Sequence, residues 1–105
     1  MPLEDFLLPG EEIKFQSTEG VRYGDKRYRV VLTDRRILLY AQRGMLLKTD
    51  DVVTQKIEEL QGVKYSEQGI LEKKGTIRIE GRTVLDLRGK ASEIKVLYQQ
   101  MMMFM

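Results

Sequence analysis

Nine basic residues fall between positions 11 and 48: Lys14, Arg22, Lys26, Arg27, Arg29, Arg35, Arg36, Arg43 and Lys48. Five acids stand against them in the same span: Glu11, Glu12, Glu19, Asp25 and Asp34. The chemistry such a set offers is anion recognition. An arginine fork presents paired donors in one plane, which matches phosphate and carboxylate oxygens. Lys14, Arg22, Lys26, Arg27 and Arg29 are therefore the candidate residues for an anionic headgroup. The competing reading is structural: alternating arginines on a solvated strand face discourage edge pairing. Charged faces of that kind are the commoner case, and the sequence alone favours this second reading.

Two other motifs carry candidate contacts. Thr33-Asp34-Arg35-Arg36 offers an anion grip, but Thr33 and Asp34 are also residue types that hydrogen-bond turn amides. Turn chemistry alone accounts for them, with an arginine bridging to a neighbouring loop, and that is the preferred reading. At the C-terminus, Met101 and Met105 continue the buried face of a helix. Met102, Met103 and Phe104 cannot share it, because successive helical residues turn by about 100°. Those three are candidate partner-binding residues, since thioethers adapt to varied surfaces; simple disorder of the last residues is the alternative.

Catalytic constellations are missing from the sequence. There is no histidine and no cysteine, which removes the usual proton shuttle and the thiolate ligands together. No phosphate-binding loop motif occurs, and Gly20, Gly24 and Gly44 do not form a dinucleotide fingerprint. Asp50-Asp51 and Glu58-Glu59 are adjacent in sequence, so on strands they point to opposite faces. Tyr23, Tyr28 and Tyr40 interleave with basic residues, but Tyr28 and Tyr40 are required by the core, which argues against an RNA surface. The expectation is no enzyme, no cofactor, no metal and no nucleic acid.

The elements that must position these residues read as β structure. A chain of 105 residues with 42% apolar and 32% charged content forms one domain, 1–105, around one core. Its net charge of +2 sets up no strong field. The lack of cysteine fits a reducing interior, no apolar run approaches the ~20 residues of a membrane span, and the acidic N-terminus is unlike a secretory signal. A cytoplasmic address is expected.

Along the chain, Leu7 and Leu8 lead in to Pro9-Gly10, and Ile13 and Phe15 open a strand running to about Tyr23. Tyr28, Val30 and Leu32 share one parity and Arg27, Arg29 and Val31 the other, the mark of a strand with one buried face. Ile37 to Ala41 is continuously apolar, as in a strand covered on both sides. A strand at about 46–55 follows, then an irregular passage anchored by Ile57 and Leu60. Val63 and Tyr65 begin another strand, which Gly69 interrupts and Ile70-Leu71-Glu72 resumes. Lys74-Gly75 is read as a turn into a strand with Ile77 and Ile79 inward, and Gly81-Arg82 as a turn into one with Leu85 and Leu87 inward. From Ala91 the period changes: Ile94, Leu97, Tyr98, Met101 and Met105 lie on one helical face, with Ser92 or a neighbour as cap. Strands over about 11–88 precede a helix over about 91–104.

Seven strands and one C-terminal helix is the element order of pleckstrin-homology-like domains, and the residues resemble the prokaryotic members. The matching pieces are Leu8-Pro9-Gly10-Glu11-Glu12, Leu32-Thr33-Asp34-Arg35-Arg36-Ile37, Ile57 through Val63, and Gly69-Ile70-Leu71 with Gly75-Thr76-Ile77-Arg78-Ile79. The hairpin is similar to that of the related GRAM and GLUE domains. The resemblance implies a mainly β fold, a seven-stranded partly open barrel of two near-orthogonal antiparallel sheets capped by the helix. It also implies a non-enzymatic binding module. In phosphoinositide-binding relatives a strand-one lysine and a basic-x-Arg pair on strand two clamp phosphates, and Lys14 with Arg27 and Arg29 is a loose match; Asp25 and Glu19 nearby depart from the pattern. Protein–protein interaction including self-association, as a homo-oligomer, is the leading expectation. The alternative is a peripheral membrane domain binding anionic lipid, and a small-ligand carrier at the barrel mouth is more distant.

Overall fold

The computed structural model describes residues 6–17, 20–43 and 49–103, without the side chains of 42, 43, 49 and 50. Its elements are β1 (Ile13–Gln16), β2 (Val21–Tyr23), β3 (Lys26–Thr33), β4 (Arg36–Arg43), β5 (Thr49–Lys56), a 3₁₀ turn (Ile57–Glu59), β6 (Gly62–Gln68), β7 (Lys74–Glu80), β8 (Val84–Lys90) and helix α1 (Ala91–Met103). All strand pairs are antiparallel. The strand order is β5-β4-β3-β2-β8-β7-β6, with β1 paired beside it to β3. Among the described residues the strands number eight rather than seven, because the expected first strand breaks into β1 and β2.

That break positions everything else. The start of β3 pairs with β2, while its end pairs with β1 and β4, so one strand serves both sheets. A bulge between Ile13 and Phe15 shifts the β1 register. An extra residue reverses which side chains face inward. Phe15 accordingly packs into the main core, whereas Ile13 packs on the far side of the sheet. Simple alternation would have placed both on one face.

The main core gathers Val21, Tyr28, Val30, Leu32, Ile37, Leu39, Ile77, Ile79, Leu85 and Leu87 beneath Ile94, Leu97 and Met101 of α1. The parities expected for β3, β7 and β8 are the observed ones, and so is the helical face through Ile94, Leu97, Tyr98 and Met101; Met105 lies outside the described residues. Val31, Leu38 and Tyr40 form a smaller cluster on the other face of β3 and β4, covered by Phe6, Leu7 and Ile13. This explains why Ile37–Ala41 is apolar throughout: both of its faces are covered. Leu7 joins the cover, whereas Leu8 does not and is 46% exposed.

Three expectations are corrected. Ile70-Leu71-Glu72 does not resume a strand; it is the tip of the β6–β7 hairpin. Lys74-Gly75 is not a turn but the first two residues of β7, and Gly75 is there for close packing. A Cβ on it would stand 3.0 Å from the Ile94 Cβ and 3.2 Å from the Ala91 Cα, so its small size lets the helix sit against the sheet. Ser92 lies inside α1 rather than capping it, because β8 runs to Lys90 and passes directly into the helix. The strand expected at 46–55 is seen over Thr49–Lys56, its first expected residues lying outside the described ones.

Candidate anion-binding site

The pleat divides the predicted basic set. On β2, Val21 is buried in the core and Tyr23 packs against it, which turns Arg22 outward. On β3, buried Tyr28 turns Arg27 and Arg29 outward and leaves Lys26 on the opposite face. Lys26 lies 3.6 Å from Asp51. Lys14 is bound by Glu12 at 2.8 Å, and that hydrogen bond and charge raise its pKa. Arg29 is exposed and has Tyr40, not another of the candidates, as its cross-strand partner. Of the five candidates, the structure brings together Arg22 and Arg27.

Those two are direct cross-strand partners, and Arg22 is also the partner of Arg88 on β8. Three guanidinium groups therefore stand in one row across β3, β2 and β8. Lys74 joins them: Arg22, Arg27, Lys74, Arg88 and Gly89 line an open groove of about 410 Å³ on the outer face of the sheet. Like charges placed directly opposite cost ~0.2–1 kcal/mol per pair. Among the described residues, Arg22, Arg27 and Lys74 have no ion-pair partner. The acid that feels Arg88 is Asp86, and it is already held by Arg78 through two bonds of 2.9 and 3.2 Å. The Arg78 hydrogen bond, partly opposed by burial, keeps the Asp86 carboxyl below its usual range. Chemically, the groove presents unpaired planar donors to an incoming anion.

Sequence reasoning missed Arg88 and Lys74. Alternation in Leu85-Asp86-Leu87-Arg88 does mark Arg88 as outward, but only the β2–β8 pairing brings it to Arg22. Lys74 was hidden by its placement in a turn.

The Thr33-Asp34-Arg35-Arg36 segment proves structural. Glu11 has a fully buried side chain and accepts four hydrogen bonds: from Leu8 N (2.8 Å), Thr33 Oγ1 (2.6 Å), and Arg36 Nε (2.9 Å) and Nη2 (3.0 Å). Arg36 also donates to the Phe6 carbonyl. Thr33 Oγ1 accepts from the amides of Arg35 and Arg36, and Asp34 Oδ1 accepts from the Glu12 amide. Burial alone would raise the Glu11 pKa, but the Arg36 and Thr33 bonds outweigh it and bring the carboxyl to about 2. The arginine grips a carboxylate of this same chain, so this corner is a latch for the lead-in segment.

At the helix end, Met101 is buried, while Met102 and Met103 are 41% and 71% exposed. Phe104 and Met105 lie outside the described residues. Among the described residues no cluster of three metal-ligating side chains occurs. No described helix is long and apolar enough to cross a membrane.

The fold defines the class: this is a pleckstrin-homology-like fold, mainly β with one C-terminal helix. A crystal structure of a pleckstrin homology domain from Shewanella amazonensis SB2B superposes with a TM-score of 0.67 at 14% identity, over 97% of this chain and 90% of that one. No protein-family model matches the sequence, and a search of curated proteins finds no match.

Proposed function

We propose that this chain is a non-enzymatic binding module that docks onto phosphate-bearing partners through the Arg22–Arg27–Arg88 row and Lys74. The observation that carries this reading is three arginines in one cross-strand row without a described carboxylate committed to them. A fold gains nothing from such a row, and a bound anion would relieve its repulsion. Titration with inositol hexakisphosphate, followed by amide chemical shifts, tests it. Shifts are expected at Arg22, Arg27, Lys74 and Arg88, and they should disappear in the Arg22→Gln/Arg27→Gln/Arg88→Gln variant. Binding that survives those three changes would refute the assignment.

A second reading is self-association through the helix, favoured by exposed Val96, Met102 and Met103 on α1. Light scattering over a range of concentrations tests it, and a mass that stays monomeric throughout would exclude it.

A further inference from the structure

The tip between β6 and β7 carries two aliphatic side chains that the rest of the chain leaves in water: Ile70 is 94% and Leu71 100% exposed. Turn positions ordinarily hold glycine, asparagine, aspartate or serine, and two fully solvated aliphatics forgo the burial energy their types offer. The backbone beneath them has a defined path. Gly69 has φ +113°, and a Cβ there would collide with the Glu72 carbonyl, so the bend that projects Ile70 and Leu71 requires glycine. Lys73 and Lys74 follow immediately. Lys73 lies 3.8 Å from Glu67, whereas Lys74 lines the cationic groove. An aliphatic pair thus stands at the tip of the hairpin, three and four residues ahead of the groove's Lys74 in the chain.

We propose that this tip is a membrane wedge. Ile70 and Leu71 enter the apolar boundary of an anionic bilayer while Arg22, Arg27, Lys74 and Arg88 hold headgroup phosphates. The idea rests on the anion-binding reading of the groove and names a lipid surface as the source of its phosphate. Charge complementarity favours a bilayer as the occupant, because cations followed outward by aliphatics match phosphate followed inward by acyl chain. Neither element is a strong anchor alone, and peripheral attachment generally needs two such signals. Of the acids nearby, Glu67 is engaged by Lys95 at 2.6 Å and by Lys73. Glu72 is exposed at the tip and has to remain in the headgroup layer.

The sequence contains no tryptophan, so Leu71→Trp supplies a single fluorophore at the tip. Its emission should shift to the blue with vesicles of phosphatidylcholine and phosphatidylserine and stay unmoved with phosphatidylcholine alone. The Ile70→Ser/Leu71→Ser variant, altered only at solvated positions, should partition onto the mixed vesicles about 100-fold less than the native chain. It should bind inositol hexakisphosphate as the native chain does. Equal partitioning of the serine variant, unshifted tryptophan emission on bound vesicles, or failure of the native chain to bind vesicles would each overturn the wedge. Loss of the soluble-anion response from the native chain would instead overturn the groove on which it rests.

Discussion

At the scale of single residues, Glu11 carries the sharpest consequence. Its carboxyl titrates at about 2 in the fold against an ordinary 4.5. Below about pH 4.5 the unfolded chain takes up a proton that the folded chain refuses, so this contribution is complete above that pH and drains away toward pH 2. Glu11→Gln should flatten the dependence of Tm on pH across that window, as scanning calorimetry would show; an unchanged slope would contradict the latch. Arg36→Ala strands the buried carboxylate and should destabilise by about 3–5 kcal/mol in urea unfolding. Tyr65 gives the opposite limb. Burial, the bond to Glu67 and that residue's charge raise its pKa to about 12. Between about pH 10 and 12 the unfolded tyrosine ionises while the folded one does not, so stability falls as pH rises, and Tyr65→Phe should lose that alkaline decline.

At the scale of elements, two joints hold the sheets and helix together. Gly75 admits the helix, so Gly75→Val should push Ile94 and Ala91 away and lower Tm, an overpacking cost of ~1–3 kcal/mol. Gln55, buried at the end of β5, donates to the Thr83 carbonyl at 3.0 Å and accepts from the Thr83 amide at 3.3 Å. Gln55→Leu keeps the volume but takes the partner from the Thr83 amide, while the Thr83 carbonyl still accepts from the Gly81 amide at 3.1 Å, for a loss of ~1 kcal/mol. Neither joint was visible in the sequence. Alternation exposed the inward residues of β3, β7 and β8 because one face of each strand meets the core, and the apolar run of β4 announced its double cover. Pairing across long separations leaves no such local trace. Gly75 therefore read as a turn, and Arg88 could not be joined to Arg22. The latch was legible as residue types at Thr33 and Asp34, but its carboxylate partner, Glu11, was not.

At the scale of the whole molecule, stability and binding should oppose one another along the arginine row. Arg22→Gln removes two like-charge neighbours, so Tm should rise modestly at low salt and the gain should vanish at high salt, where exposed charges are screened. The same variant should bind inositol hexakisphosphate less well; a variant that gained nothing at low salt would show the row is not strained. The Glu11 latch reaches further still, because it ties the lead-in to Thr33 and Arg36 of the β3–β4 hairpin. A carboxylate whose partners are brought together by that hairpin is expected to dock late on the folding route. Arg36→Ala should then quicken unfolding in stopped-flow experiments while leaving the refolding rate nearly untouched, so that the clasp governs how long the native state lives rather than how soon it arrives.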